Sequence, residues 1–430
     1  MSYSESLSKL LASVGANEGC KISVKTKGCT HTGILMPHND LSAPDILVLK
    51  LGSGYNIGIR IQSDSIVELL EVPSKIKVEP DVIPPKKGLK KLVLIGTGGT
   101  IASYVDYKTG GVKPALSTSE LVNAVPELRD IANIEARVLF SIFSENMNIK
   151  HWQELASVVE EEINKGADGI IIPHGTDTMG YTSAALSFML DKVSKPVVLV
   201  GAQRSSDRPS TDAIGNLTAC AKFCVNGDRA GVFVLMHDTL GGDSFAVHCG
   251  TRVRKMHTSR RDSFRSINAP VVAHMDIDGK IKFTNDGRHV SDTKVKAKTE
   301  MEKRCVLLQY FPGMEPKIFE DIILKSKGVV IAGSGLGHVN EDMIPLLKKA
   351  CDAGTIVVIT SQCLGGTTNL NVYNNGREMV NVGVIPVGDM LPETAYVKLM
   401  WVLANSKNKD EAVKMMKSPL AGDTGKRRLE

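Results

Sequence analysis

Apolar and polar positions alternate along residues 18–72. In GCKISVKTKG, Ile22 and Val24 alternate with lysines and serine, and PDILVLKLGSGYNIGIRI adds two similar runs joined by Gly-Ser-Gly. A period of two between turn-forming residues is typical of short antiparallel strands. The pattern therefore predicts a small β-barrel domain over residues 1–72, with one short helix that ends at Gly15 before the first strand.

Residues 73–90 have a different composition, rich in proline and lysine. The pair Pro84 and Pro85 favours an extended backbone, because proline has a fixed φ and no amide hydrogen to donate. The lysines keep such a segment solvated. We interpret it as a linker between domains.

Apolar runs of another kind begin at residue 91. KLVLIGTGG, GIIIPHGTD, KPVVLVGAQ and AGVFVLMHD are each apolar stretches that end in a glycine-rich or polar turn. Between them, HWQELASVVEEEINKG places four apolar side chains on one helical face, namely Trp152, Leu155, Val159 and Ile163. Continuous apolar strands that alternate with amphipathic helices predict a parallel sheet covered on both faces.

This pattern divides the rest of the chain into two α/β domains. The larger one is predicted over residues 91–290. GVVIAGSGLGHVNEDM and GTIVVITSQCLGGTTN repeat the pattern and predict a smaller domain over residues 300–430. The sequence after residue 406 is polar and basic, and we expect this tail to fray.

Composition excludes several classes of protein. Of the 430 residues, 42% are hydrophobic and 23% are charged, which is ordinary for a globular protein and unlike a disordered chain. No apolar run reaches the roughly 18–20 residues of a membrane span, and the first residues lack the features of a signal peptide. The eight cysteines form no C-x-x-C pair, which indicates reduced thiols in the cytoplasm.

The net charge of +5 is too weak to indicate a nucleic-acid binder by itself. Basic residues concentrate in residues 73–91 and 250–265. Solvated surface is the ordinary explanation for both clusters.

Candidate chemistry lies in the turns after the apolar strands, because ligands of open α/β sheets bind at the carboxyl ends of strands. GTGGT is not a dinucleotide fingerprint, since Ile101 stands where that motif requires glycine, and it is not a Walker loop. Thr100 lies at the edge of this turn, and its alternative role is a helix N-cap. In HGTDTM, Thr176, Asp177 and Thr178 are three successive polar groups, for which an N-cap is again an alternative.

The basic stretch HCGTRVRKMHTSRRDSF allows three interpretations. His248, Cys249 and His257 suggest a metal site, but five nearby cations and the absence of a ligand spacing argue against it. A nucleic-acid patch would need more aromatic residues than this stretch has. In the third interpretation, burial and neighbouring cations favour the neutral form of Lys255, which then takes the proton of a threonine hydroxyl. There is no G-x-S-x-G elbow and no Ser-His-Asp set, so a hydrolase would be threonine-based.

As a set, GTGGTIAS, HGTDTM, GAQRSSDRPSTDAIGNL, RVRKMHTSRRDSF, GSGLGH, CLGGTTNLNVY and GDMLPETA resemble the asparaginase/glutaminase amidohydrolase family. The resemblance covers about residues 91–405. It implies an asparaginase-like α/β catalytic unit of two domains with parallel sheets, preceded here by the small β-barrel domain. It also implies hydrolysis of a side-chain amide through an acyl-enzyme, with no metal.

The additional N-terminal domain resembles one branch of this family, found in archaeal tRNA-dependent amidotransferases. The branch implies a partner subunit, GatE, which binds Glu-tRNA(Gln), uses ATP and Mg²⁺, and receives ammonia released from Gln or Asn. It also implies two copies of each chain, with this chain forming a homodimer. This chain itself is expected to bind no cofactor.

The resemblance assigns catalytic roles by motif. Thr100 matches the first catalytic threonine, the usual candidate nucleophile. Thr176 and Asp177 match the second threonine and its aspartate, and Lys255 matches the lysine that completes this second group. The family also uses a tyrosine on a loop after the first threonine, for which we favour Tyr107 over Tyr104.

The same resemblance assigns substrate-binding roles. Ser144 matches a residue that holds the α-carboxylate of the substrate, and its neighbour Glu145 stands where many members have glutamine. Asp177 also matches a ligand of the α-ammonium group. Gly99 and Gly175 lie where backbone N–H groups stabilise the oxyanion.

Two other functions fit parts of the sequence. A stand-alone cytoplasmic asparaginase or glutaminase would need only the α/β unit and leaves residues 1–90 without a use. A non-enzymatic module that binds RNA or a partner, with the α/β unit as a small-molecule sensor, would release no ammonia.

Overall fold

The computed structural model describes residues 3–38, 43–52, 55–72, 85–99, 103–105, 112–114, 125, 127–204 and 211–425. Its N-terminal part consists of one helix and five strands: α1 (Glu5–Ser13), β1 (Lys21–Thr26), β2 (Cys29–Leu35), β3 (Ile46–Leu51), β4 (Asn56–Arg60) and β5 (Ile66–Glu71).

The five strands form an antiparallel sheet in the order β4-β3-β2-β1-β5. Ile22 and Val24 are fully buried, as the alternating pattern predicts, and they share one core with Leu7 and Leu11 of α1. The side chain of Ser4 caps α1 by accepting a hydrogen bond from the Leu7 amide. The predicted small N-terminal β domain is confirmed.

The large α/β domain follows. Its strands are β6 (Lys91–Gly98), β7 (Ser103–Val105), β8 (Val112–Pro114), β9 (Asn133–Ile142), β10 (Gly169–Pro173), β11 (Pro196–Val200), β12 (Gly231–His237), β13 (Ser244–Cys249), β14 (Val253–Lys255), β15 (Phe264–Ser266), β16 (Ala273–Asp276) and β17 (Ile281–Phe283). Its helices are α2 (Leu128–Ile131), α3 (Ile149–Asn164), α4 (Met179–Met189) and α5 (Ala213–Asn226).

Eight of these strands form one sheet in the order β17-β16-β13-β12-β11-β10-β6-β9. The five strands from β12 to β9 are parallel, and hydrophobic cores cover both faces, as predicted. The remaining three strands, which the sequence pattern did not predict, are antiparallel and extend the predicted parallel sheet at one edge. The reason is the short connection after β12, because a return to a parallel strand needs a long crossover, usually through a helix.

The smaller α/β domain has strands β18 (Cys305–Gln309), β19 (Gly328–Gly333), β20 (Ile356–Ser361) and β21 (Ile385–Pro386). They form a parallel sheet in that order. Its helices are α6 (Pro316–Lys325), α7 (Met343–Asp352), α8 (Asn374–Asn381), α9 (Pro392–Asn405) and α10 (Lys409–Lys417). Helix α9 packs against α4 of the large domain, with Trp401 stacked near Phe188, so one apolar core is shared by both domains.

The expectation that the chain frays after residue 406 is wrong up to residue 425. Helix α10 is followed by a segment anchored through Asp423, whose carboxylate accepts a 2.6 Å hydrogen bond from Lys398. Both side chains are completely buried. Polar composition suggested a solvated tail, but hydrogen bonds, including this buried ion pair, hold it in place.

All eight cysteines are free, and only Cys29 and Cys363 are exposed. No helix in the described ranges combines the length and apolarity that crossing a lipid bilayer requires.

Candidate active site

Two glycine-containing turns meet at the carboxyl ends of β6 and β10. Gly98 ends β6 and Gly99 follows it, with φ angles of +99° and +82°, a region that favours glycine. A Cβ on Gly99 would lie only 2.3 Å from the amide nitrogen of Gly175, which follows β10. Glycine is therefore required for these turns to approach each other.

Lys255 joins Thr176 and Asp177 at this edge. Its Nζ donates hydrogen bonds of 2.8 Å to Thr176 Oγ1 and 2.8 Å to Asp177 Oδ1. Thr176 is 5% exposed. The side chain of Lys255 is 13% exposed and that of Asp177 is 69% exposed. A buried hydroxyl and ammonium thus lie behind a carboxylate that is open to a ligand.

Strand alternation explains how Lys255 reaches this point. It is the last residue of β14 and pairs with Phe264 of β15. Val253, two residues earlier on the same face, is buried in the core. A Cβ on Gly180, in the first turn of α4, would lie 3.1 Å from the Val253 carbonyl, so α4 and β14 are close neighbours.

Ser144 lies beside the same group, in a 3₁₀ turn (Ser144–Asn146) after β9. Its Oγ donates a 3.4 Å hydrogen bond to Asp177 Oδ2, and the Thr178 hydroxyl donates to its carbonyl at 2.7 Å. A Cβ on Gly175 would lie 2.6 Å from Ser144 Cβ, which makes this a second close approach. Glu145 is exposed on the same turn.

The N-cap alternative applies to Thr178 by position only. Thr178 precedes α4, but its side chain makes no capping bond and holds Ser144 instead. Thr100 and Tyr107 lie outside the described residues. Of Tyr104 the structure gives the backbone, which pairs with Lys113 between β7 and β8.

Three arginines near Lys255 are paired with carboxylates. Asp262 accepts from Arg260 at 2.7 Å and from Arg265 at 2.8 Å, and Arg254 faces Glu393 at 3.5 Å. The charged group in contact with Lys255 Nζ is the Asp177 carboxylate. This differs from the expectation that cations surround the lysine.

The histidines considered as metal ligands point to different places. His248 is buried beside Ser266, and burial lowers its pKa to about 3. His257 Nδ1 accepts hydrogen bonds from the amides of Ser259 and Arg260. In the part of the chain that the structure describes, no three His, Cys, Asp or Glu side chains come together as a metal site.

Sequence reasoning missed residues that shape the site. His174 is fully buried, burial lowers its pKa to about 4, and its Nδ1 donates to the Gly175 carbonyl at 2.7 Å. Buried Asp212 accepts hydrogen bonds from the amides of Gln203 and Arg204 and so orders the turn after β11. Both positions belong to the motifs HGTDTM and GAQRSSDRPSTDAIGNL, but their contacts are with backbone groups of the same turns, which the pattern of residue types does not show.

The arrangement suits acyl transfer from an amide. A hydroxyl beside a lysine amine can attack a carbonyl, or hold a water that does so, once a base takes the proton. A solvent-accessible carboxylate can bind an ammonium group of the substrate. The close-packed glycines bring backbone amides to the same edge, where they can stabilise an oxyanion.

Comparisons with known proteins show the family of the two α/β domains. The family Asparaginase, N-terminal, matches residues 91–288, and Glutaminase/Asparaginase C-terminal domain matches residues 304–416. The thermostable L-asparaginase from Thermococcus kodakarensis is similar in structure, with a TM-score of 0.71 and 31% identity over 78% of this chain and 100% of that chain. The fold is thus that of an asparaginase-type amidohydrolase.

Similarity extends through the N-terminal domain. GatD N-terminal domain matches residues 16–70. The GatD subunit of glutamyl-tRNA(Gln) amidotransferase from Pyrococcus furiosus is 50% identical, covering 91% of this chain and 90% of that protein. The corresponding subunit from Methanothermobacter thermautotrophicus is 44% identical, covering 99% and 98%. The chain belongs to the GatD family of glutamyl-tRNA(Gln) amidotransferase subunits.

Proposed function

We propose that this chain is the amide-hydrolysing subunit of a cytoplasmic amidotransferase that converts Glu-tRNA(Gln) to Gln-tRNA(Gln). It releases ammonia from Gln or Asn for that reaction. The observation that carries the proposal is the contact of Lys255 with Thr176 and Asp177 at the carboxyl edge of a parallel sheet.

The reaction proceeds through an ester of a threonine. The Thr100 hydroxyl attacks the side-chain amide carbon, and its proton passes by way of a base to the amide nitrogen, which leaves as ammonia. Water then cleaves the ester to give the free acid, with the Thr176–Lys255 pair holding that water. Tyr107 supports the first threonine.

Substrate binding uses the remaining groups. Ser144 and Glu145 lie on the turn where the α-carboxylate and its neighbourhood are recognised, and Asp177 binds the α-ammonium. For the oxyanion we favour the Gly175 N–H, which has no acceptor among the described residues. The Gly99 N–H already donates to the Ile142 carbonyl at 3.2 Å.

The second half of the reaction belongs to a partner. GatE binds the tRNA and uses ATP and Mg²⁺, with two copies of each chain in the complex and this chain as a homodimer. The match of residues 16–70 to the GatD N-terminal domain supports this assignment. A stand-alone hydrolase has no evident use for that domain.

The decisive experiment measures ammonia release from Gln and Asn by the chain alone, and then with GatE and Glu-tRNA(Gln). We expect release to be coupled to formation of Gln-tRNA(Gln). Equal release without the partner and tRNA would favour the stand-alone hydrolase. No release under either condition would favour a sensor module.

Two further measurements test the residue roles. Lys255→Met should lower kcat by roughly 10²–10⁴-fold, the usual range for loss of a proton-transfer group, with an unchanged circular dichroism spectrum. Normal turnover would remove Lys255 from the mechanism. Mass spectrometry of enzyme quenched during turnover should place the acyl group on Thr100, and its appearance on Thr176 would reverse the order of the threonines.

A further inference from the structure

The hairpin that carries Lys255 is held by the large domain on one side and by contacts from outside that domain at its start. Strands β14 and β15 pair over only three residues. The side-chain contacts of Thr251 and Arg252, just before β14, reach the small domain and residues 418–425, which we call the C-terminal strap. Thr251 Oγ1 donates to the Ala421 carbonyl at 2.9 Å, and its own carbonyl accepts from Thr394 Oγ1 at 2.9 Å.

Arg252 joins the strap to the small domain. Its side chain is 2% exposed. Its Nε donates to the Gly422 carbonyl at 2.8 Å, and its Nη1 and Nη2 donate to the carbonyl and carboxylate of Asp389 at 3.2 and 3.3 Å. Asp389 also accepts from the Gly425 amide at 3.0 Å. A buried guanidinium needs hydrogen-bond partners of this kind. Arg252 therefore fixes the start of the hairpin, the strap and the small domain relative to one another.

A second buried ion pair anchors the strap. Lys398 Nζ donates to Asp423 Oδ2 at 2.6 Å and to the Ser418 carbonyl at 2.6 Å. The other oxygen of Asp423 accepts from the amides of Leu420 and Ala421 at 2.8 and 2.9 Å. Burial lowers the pKa of Lys398, and the adjacent carboxylate opposes that shift. The strap is thus tied to α9 before it reaches the hairpin.

We propose that the C-terminal strap and Asp389 position Lys255 for reaction, with Arg252 and Asp423 as positioning residues. The inference rests on the proposed function. Arg252 and Lys255 belong to the same extended segment and are about 10 Å apart along it. The 2.8 Å contact of Lys255 with Thr176 depends on where that segment is held. A displacement of about 1 Å at a catalytic group lowers the rate by roughly 100-fold.

Two variants of the chain weaken the contacts of the strap in different ways. Arg252→Lys keeps the charge but cannot form the planar fork that joins Gly422 to Asp389. The double variant Lys398→Met/Asp423→Leu replaces a buried pair with apolar side chains of similar size, which such sites tolerate, and removes the acceptor for the strap amides. The control is Glu302→Gln, which disrupts a paired contact with Arg304 in the small domain, away from the hairpin.

For each variant, kcat and KM for Gln and Asn are measured together with hydrogen exchange of the amides of residues 253–256. We expect kcat to fall by roughly 10–100-fold with KM changed by less than about 3-fold, the pattern of a misplaced catalytic group. Exchange at 253–256 should become about 10-fold faster, while β10 and β11 keep wild-type exchange. The control should change neither quantity.

Wild-type kcat and exchange in both folded variants would overturn the proposal, and so would an equal loss of kcat in the control. If the wild-type chain hydrolyses neither amide, the proposed function fails. In that case the exchange data still decide the positioning, because unchanged exchange in the two variants refutes it without any activity.

Discussion

Replacing Gly99 with alanine tests whether the close approach of two turns places Thr176 for reaction. The new Cβ would lie 2.3 Å from Gly175 N and 2.6 Å from Gly175 Cα, whereas ordinary contact begins at 3.4 Å. The turns must therefore separate by about 1 Å, because a packed interior has no free space to absorb the methyl group. Thr176 is the next residue and moves with Gly175, which should lower kcat by roughly 100-fold.

The same substitution has a cost in stability. A non-glycine residue at a φ of +82° is strained by about 1–2 kcal/mol, and overpacking adds about 1–3 kcal/mol. The assay combines urea unfolding with steady-state ammonia release. Gly166→Ala is the matched control, since Gly166 has a φ of +97° and nothing within 4 Å of the new Cβ. It should be destabilised by strain alone and keep its kcat. A folded Gly99→Ala protein with kcat within about 3-fold of wild type would refute the reasoning.

Two more predictions concern groups outside the site. Burial lowers the pKa of His248 to about 3, so between that pH and about 6.5 the unfolded chain binds more protons and acidification destabilises the fold. Between pH 6.5 and 5 the free energy of unfolding, measured with urea, should fall by about 2 kcal/mol through this group. The same acidification should destabilise His248→Asn by that much less than the wild type, and an equal loss in both proteins would disprove the assignment. Thiol titration should find Cys29 and Cys363 reactive in the native protein and all eight cysteines after unfolding, and rapid native reaction of more buried thiols would contradict the structure.

Periodicity predicted the features of the fold that depend on a single helix or strand. The face of α3 formed by Trp152, Leu155, Val159 and Ile163 is buried as its spacing indicates. Strands β10 and β11 are buried at every position, as continuous apolar runs indicate. The antiparallel direction of β13, β16 and β17 could not be predicted this way, because the spacing of apolar residues along a strand does not show which strand pairs with it or in which direction.

The sequence predicted which motifs hold the candidate site residues, but not the contacts between those residues. From the residues alone, Thr176 and Asp177 could equally have been capping groups, and only the resemblance connected them with Lys255. That contact spans 78 residues of sequence. The role of Asp212 in ordering its loop gave no signal, because an aspartate before a helix is ordinarily interpreted as a cap.

The charge of the 250–265 segment shows why local sequence misleads about partners. Within that window the cations outnumber the acids, which on sequence grounds allowed a nucleic-acid patch. In the fold, Lys255 meets Asp177, Arg252 meets Asp389 and Arg254 faces Glu393, three acids from outside the window. Phosphate binding needs cations that replace the counterions of the nucleic acid, whereas these three side chains are paired with carboxylates of the same chain. The positive stretch therefore joins parts of both α/β domains beside Lys255.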